Sequence, residues 1–372
     1  MLPTKEETVL VTGFPSFRGR KMVAQLLSAS PATRVFAIVH PKLVEQASTF
    51  LEQLEPGDRE RVVAYEGDAA AIDLGLSGKE YRELAARVAR NHHVAQVTYP
   101  GVSRKIAELV NVGAMREVLE FGRVCERLEC LVCHSSAQVS GNRTGLVLEE
   151  ELSARQSFRS AVEETLARAE RLAQEAMAEL PIAIVRPTQI VGDSRTGEVD
   201  RFDGPYLLML LILSAPQEFP VLLPARGDAP MNLVPIDYVV QAAYRIGQSP
   251  HAIGKTFHLA DPRPLTVRQV FQLVAQSGGR RLPGGFIPSR LTKALLSTPG
   301  LSLVSKSPRA FVDTITTPVR YDTRNTDDVL AGSEVVCPPF ESYVDALVSF
   351  VRQRVQERRL KNEEPEVDDP LS

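Results

Sequence analysis

Val11-Thr12-Gly13-Phe14-Pro15-Ser16-Phe17-Arg18-Gly19-Arg20-Lys21-Met22 is the stretch that decides the fold. An apolar run over 8–12 stops at a glycine, and residues of helical character begin shortly afterwards. A strand that turns sharply into a helix aims backbone N–H groups at whatever lies over the helix N-terminus. With glycines at fixed spacing the turn is permitted and a pyrophosphate can approach the backbone. Gly13 and Gly19 keep the first and last places of that spacing, but Ser16 holds the middle one behind Pro15. Serine adds a Cβ where backbone should meet phosphate, and proline lacks an N–H donor, so weakened binding is expected. The Ser16 hydroxyl and the charges of Arg18 and Arg20 are the compensation at hand.

Outward from this turn, strand-like runs at 8–12, 34–39, 61–66, 94–98, 129–133 and 182–185 alternate with amphipathic segments. Such alternation predicts an α/β doubly wound parallel sheet, a Rossmann-type NAD(P)-binding fold. A dinucleotide-binding core over 1–195 is expected. A smaller C-terminal α/β lobe over 196–358 interleaves with it, contributing final sheet strands near 232–236 and 256–260. The charged stretch 359–372 reads as a disordered acidic tail. His92-His93 closes a helix-like segment and reads as an exposed pair at a helix C-terminus.

The composition narrows the functional classes. A net charge of -3 gives no basic field for nucleic acid. The longest apolar run, 206–213, is too short for the roughly 20 residues of a membrane span. The N-terminus does not read as a secretory signal, so a cytoplasmic location is expected. Four cysteines at irregular spacing do not form a disulfide framework. Cys130 and Cys133, three apart on one strand, point to opposite faces and read as core rather than metal or redox residues. No spacing reads as a metal site.

After the second strand comes Val39-His40-Pro41-Lys42, with no carboxylate where an NAD site would bind the ribose 2'-OH. His40 and Lys42 suit a 2'-phosphate, so NADP is the expected nucleotide if one binds, weakly; the alternative is no cofactor.

Several further motifs stand in order: Gly67-Asp68, Gly75-Leu76-Ser77, Asn111-Val112-Gly113, Ser135-Ser136, 184–198 (IVRPTQIVGDSRTGE), 232–239 (NLVPIDYV) and 257–262 (FHLADP). In this order the chain resembles the extended (atypical) short-chain dehydrogenase/reductase superfamily. It looks most like the branch of fatty acyl-CoA reductases and thioester reductases. The resemblance implies a cofactor cleft formed by Thr12, Gly13, Ser16, Phe17, Gly19, His40, Lys42, Asp68, Pro187 and Thr188. It also implies a catalytic helix carrying Tyr-x-x-x-Lys, whose register Glu170 and Leu172 fix. That register puts Val162 in the Tyr place and Leu166 in the Lys place. None of the eight tyrosines has a lysine four residues later. Ser136 and Asn111 remain as remnants of the family's site. Where the family ends its fourth strand with His-x-Ala-Ala, Tyr99 and Pro100 are expected to crowd the floor.

Three functions follow. The first is a catalytically degenerate protein that binds a nucleotide, a small metabolite or a protein partner, and that could self-associate as a homo-oligomer. The second is an NADPH-dependent reductase of an aldehyde, ketone or acyl thioester with a substitute acid such as His134, Tyr99 or an ordered water. The third is a structural subunit with an empty cleft.

Overall fold

In this computed structural model, residues 7–99, 101–214, 223–224, 227–280, 286–287 and 316–363 are described. Seven strands form one sheet: β1 (Glu7–Phe14), β2 (Thr33–Val39), β3 (Val62–Glu66), β4 (Arg90–His93), β5 (Cys130–His134), β6 (Ile182–Pro187) and β7 (Thr256–Leu259). Their order is β3-β2-β1-β4-β5-β6-β7, with every neighbouring pair parallel. The chain reverses its direction of travel between β1 and β4. A crevice therefore opens at the carboxyl ends of those two strands, where such sheets take ligands.

Among the described residues, the helices of seven or more residues are α1 (Phe17–Ala29), α2 (Val44–Glu52), α3 (Gly78–Arg87), α4 (Ala114–Val124), α5 (Ala161–Ala176), α6 (Pro205–Ser214), α7 (Ile236–Gln248), α8 (Val267–Ser277), α9 (Arg324–Leu330) and α10 (Val344–Glu363). Strand alternation divides the core. Leu10, Phe36, Leu131 and Ile184 face Leu84 of α3, Val118 and Phe121 of α4, and Ala173 of α5. Val9, Val11, Val35 and Ala37 face Met22 and Leu26 of α1 and Val240 of α7. Because both faces are covered, the strands are apolar almost throughout rather than alternating. Cys130 and Cys133 fall into different clusters, one on each face of β5.

The C-terminal lobe has its own core. Tyr206, Met209 and Ile212 of α6 pack with Val270 and Val274 of α8 and Leu347 and Val351 of α10. A helix apolar on all sides is expected where neighbours enclose it. The side chains of Leu208 and Leu211 lie outside the described residues.

Several expectations are corrected. The fourth strand is Arg90–His93 rather than 94–98. His92 and His93 are therefore not an exposed helix end: they are 1% and 2% exposed in the middle of the sheet. The segment near 232–236 forms no strand of the main sheet; Leu233–Pro235 pairs with Gln189–Val191 in a separate two-stranded ribbon. Only Thr256–Leu259 joins the main sheet, as its edge. The last helix runs on to Glu363, past the expected start of the tail; 364–372 lie outside the described residues.

Candidate functional site

At the end of β1 the turn keeps its glycine geometry for identifiable reasons. Gly13 has φ +81, and a Cβ there would meet the Ala95 nitrogen at 2.6 Å. A Cβ at Gly19 would meet the Gly13 carbonyl oxygen at 2.7 Å. Both positions therefore require glycine. Ser16 is the N-cap of α1, and its Oγ accepts the Gly19 N–H at 3.2 Å. One of the orphan donors that would otherwise face a phosphate is thus already satisfied within the chain. The Thr12 hydroxyl is also engaged, 2.8 Å from His93 Nδ1. Phe17 packs half-buried against the α1 side of the core.

Ion pairs tie the rim of the crevice to the segment after β6. Arg20 pairs with Asp200 at 2.6 Å, and Lys21 pairs with Asp193 at 3.1 Å and Glu198 at 2.7 Å. Across the opening, Arg201 stacks on the Tyr99 ring with 3.7 Å to its centroid. Tyr99 thus lies beyond the end of β4, in contact with this segment, rather than at the strand's floor. The corrected strand end, His93-Val94-Ala95-Gln96, meets the family's His-x-Ala-Ala except at Gln96. Pro100 lies outside the described residues.

At the ends of β2 and β3 the structure brings His40 and Asp68 together, Nε2 to Oδ2 at 3.9 Å. His40 Nδ1 accepts the Lys42 N–H at 3.2 Å, while Lys42 itself is exposed. Pro187 ends β6, and Thr188 is held to β7 by its N–H donating to the Leu259 carbonyl at 3.0 Å.

The register of α5 against the sheet is set by a buried network. Arg186 of β6 pairs with Glu170, and Ser135 donates to the same carboxylate. Arg186 also donates to the carbonyls of Glu149 and Glu151 and approaches His258 Nε2 at 3.2 Å. With Glu170 anchored, Val162 and Leu166 face a closed apolar cluster with Ala107, Val139, Leu152 and Ala167. Leu166 also lines a cavity of about 10 Å³ with Asn111, Ser135 and Gln96, room for about one water. Asn111 sits in a π-turn, Glu108–Gly113, that leads into α4. Its side-chain oxygen accepts the Val97 N–H at 2.9 Å, and its amide donates to the Val97 carbonyl and to Thr165 Oγ1. Ser136 caps the following turn, its Oγ accepting the Gln138 N–H at 3.2 Å.

A histidine cluster, which sequence reasoning did not bring together, is buried at the ends of β4 and β5. His92 Nδ1 lies 3.3 Å from His134 Nε2. Burial holds His92 down to about 3 and His93 to about 4, and it carries His134 well below the usual imidazole range. All three are neutral at pH 7. Arg18 acts electrostatically on His134, and burial lowers its own pKa to about 10. Arg18 Nη1 and His134 Nδ1 are shut from solvent without a hydrogen-bond partner. The only sequence signal available was a basic residue inside the glycine spacing.

The phosphate-binding turn fits a dinucleotide, since both glycine contacts are preserved and an unpartnered guanidinium stands beside it. The other end of the crevice is lined by aliphatic residues, Val162 and Leu166 among them. No helix of the described residues is long and apolar enough to cross a membrane, and no group of candidate metal ligands occurs among them.

A family model described as male sterility protein matches residues 11–243. Fatty acyl-CoA reductase 1 of Xenopus laevis is 24% identical over 276 residues, covering 63% of this chain and 53% of that protein. A linear gramicidin synthase of Brevibacillus parabrevis is 22% identical over 288 residues, covering 74% of this chain and 6% of that protein. The chain thus spans about half or less of these curated relatives. Among solved structures, the terminal R domain from the myxalamid PKS-NRPS biosynthetic pathway superposes with a TM-score of 0.79 at 21% identity, covering 95% of this chain and 92% of that one. UDP-glucuronic acid 4-epimerase from Bacillus cereus, in complex with NAD, superposes with a TM-score of 0.68 at 16% identity, covering 94% and 98%. At these identities the structural likeness establishes the fold. With the family match running from the glycine turn through α7, the chain belongs to the male sterility protein family, a NAD-binding branch of the extended short-chain dehydrogenase/reductases.

Proposed function

We propose that this protein is a non-catalytic member of its reductase family and acts by binding a nucleotide, a metabolite or a protein partner. The observation that carries the reading is the position of Val162 and Leu166. Both are buried in an aliphatic cluster, and the resemblance puts the family's Tyr and Lys at these two places. Positioned acid/base help is worth about 10²–10⁴-fold, and neither side chain can supply it. The two side chains considered as substitutes do not replace it. His134 is neutral and enclosed, and Tyr99 is stacked under Arg201 outside the strand end. If a dinucleotide binds, the exposed Lys42 favours the 2'-phosphate form.

The test is an assay of the purified protein with NADPH and NADH against long-chain aldehydes and acyl-CoA thioesters. The expected result is no turnover above the uncatalysed rate. Turnover at a rate typical of an acyl reductase, abolished by substitution in the cleft, overturns the reading in favour of an active reductase.

A further inference from the structure

Asp200 and Arg201 are neighbours in the chain, and they reach opposite walls of the crevice. Asp200 accepts from Arg20 Nη2 at 2.6 Å on the α1 side, while Arg201 lies over the Tyr99 ring, 3.7 Å from its centroid, past the end of β4. A segment that touches both walls with consecutive residues crosses the opening between them. Its two ends are held elsewhere. Before it, the Ser194 N–H and hydroxyl donate to Asp237 of α7 at 2.8 and 2.6 Å, and Gly197 presses on α10 so closely that a Cβ would collide with the Ala346 carbonyl. After it, Phe202 stacks on Tyr206 of α6 with ring centroids 5.5 Å apart. Between these anchors, Val199, Asp200 and Arg201 make no backbone hydrogen bond with any described residue. Side chains alone fasten the crossing.

Both fastenings are open to water, the Asp200 side chain 36% exposed and that of Arg201 51%. Exposed ion pairs and cation–π contacts are individually weak. Each cation also has a second partner to keep on release: Arg20 donates to the Pro15 carbonyl at 3.0 Å, and Arg201 lies 3.5 Å from Asp203. Opening therefore strands no charge. The pair of Lys21 with Asp193, whose side chain is 5% exposed, is the better shielded link and keeps the preceding turn on α1.

We propose that Asp200 and Arg201 form a clasp across the mouth of the crevice, and that a dinucleotide enters only when the clasp releases. Its role rests on the reading that the crevice takes a nucleotide, and adds how access to that site is controlled. The closed and released forms differ by two side-chain swings, since the ends of the segment stay fixed on α6, α7 and α10. A closure of this kind sets rates. It leaves the equilibrium almost unchanged, because a ligand shifts a two-state element only through unequal affinity for its two forms.

The experiment is stopped-flow binding of NADPH, followed by the nucleotide's own fluorescence, to the full native chain and to the double variant Asp200→Asn/Arg201→Gln. The double substitution removes one charge of each sign, so net charge and its steering of an anionic ligand are unchanged. Both walls, Arg20 and Tyr99, stay intact. Association is expected to be about 5- to 30-fold faster than native, the combined strength of one exposed ion pair and one cation–π contact. Dissociation is expected to quicken to match, with the equilibrium constant changed by less than about 3-fold. Tyr99→Leu loosens the same contact from the opposite wall and is expected to give a smaller rise. Equal association rates in native protein and double variant overturn the clasp and leave the nucleotide reading in place. Slower association in the double variant overturns it too, since the two side chains would then receive the ligand rather than bar it. Failure of NADPH to bind the native protein and both variants overturns the nucleotide reading itself, and the clasp's role with it. Turnover with NADPH would overturn only the non-catalytic reading and leave the clasp standing.

Discussion

Glu170 on α5 and Arg186 on β6 form an ion pair with both side chains enclosed, 1% and 0% exposed. The pair joins α5, the helix of Val162 and Leu166, to β6, the strand beside the β7 edge of the sheet. Removing one partner leaves the other as an uncompensated buried charge, so Glu170→Ala is expected to destabilise the protein by about 3–5 kcal/mol. Replacing both with apolar residues of similar volume is expected to be far milder. Urea denaturation of the single and double variants checks this, and additive losses would contradict it.

Acid should unfold this protein earlier than its net charge suggests. Burial holds His92 and His258 at about 3 and His93 at about 4, with His134 also well below its ordinary value. A depressed folded value means that the stabilisation is complete above the unfolded value of 6.5 and is lost as pH falls below it. Glu149 works in the other direction. Desolvation raises it to about 7, so its contribution is complete below 4.5 and is lost as pH rises through 7. Four protons taken up on unfolding against one released leave a net of about three, or about 4 kcal/mol per pH unit between pH 5 and 6. Denaturation midpoints across that range should fall steeply with acid; a flat profile would refute the neutral-histidine account.

Ser16→Gly frees the Gly19 N–H and removes a Cβ from the turn. A small loss of stability, a few tenths of a kcal/mol, is expected because glycine is itself tolerated at an N-cap. NADPH should bind more tightly to this variant by direct titration. No change in affinity would mean that the serine cap is not what limits the turn.

Gly13→Ala should behave in the opposite way. The positive φ and the 2.6 Å approach of a Cβ to the Ala95 nitrogen leave no relaxed solution, so a loss of about 1–3 kcal/mol is expected together with loss of any nucleotide binding. Thermal denaturation with and without NADPH separates the two effects.

Lys42→Ala should reduce affinity for NADPH but not for NADH, since only the former carries a 2'-phosphate within reach of the exposed ammonium. The difference should shrink at high salt. Equal effects on both nucleotides would remove Lys42 from the pocket.

The sequence made the parallel sheet legible because continuous apolar strands separated by amphipathic segments leave few alternatives. Glu170, the residue that fixes the expected register of α5, is buried against Arg186 of β6. What could not be read was the fourth strand. Arg90-Asn91-His92-His93 has the composition of a solvated turn, yet it lies in the sheet, with three of its four side chains engaged across strands. Arg90 pairs with Glu7 and Glu129, His92 approaches His134, and His93 meets Thr12. Glu129 lies about 40 residues away and the other partners 42 to 83, beyond the reach of a local pattern.

The ion pairs of Arg20 and Lys21 with Asp193, Glu198 and Asp200 make the rim of the crevice an electrolyte-sensitive gate. Glu198 and Asp200 keep much of their exposure, so added salt weakens their grip on α1 while leaving the buried pair at Glu170 untouched. Ionic strength is therefore expected to act on how fast a ligand enters and leaves, more than on whether the domain stays folded. Dissociation rates of a bound nucleotide or anion that rise with salt at constant melting temperature would show it, and rates indifferent to salt would place the gate elsewhere.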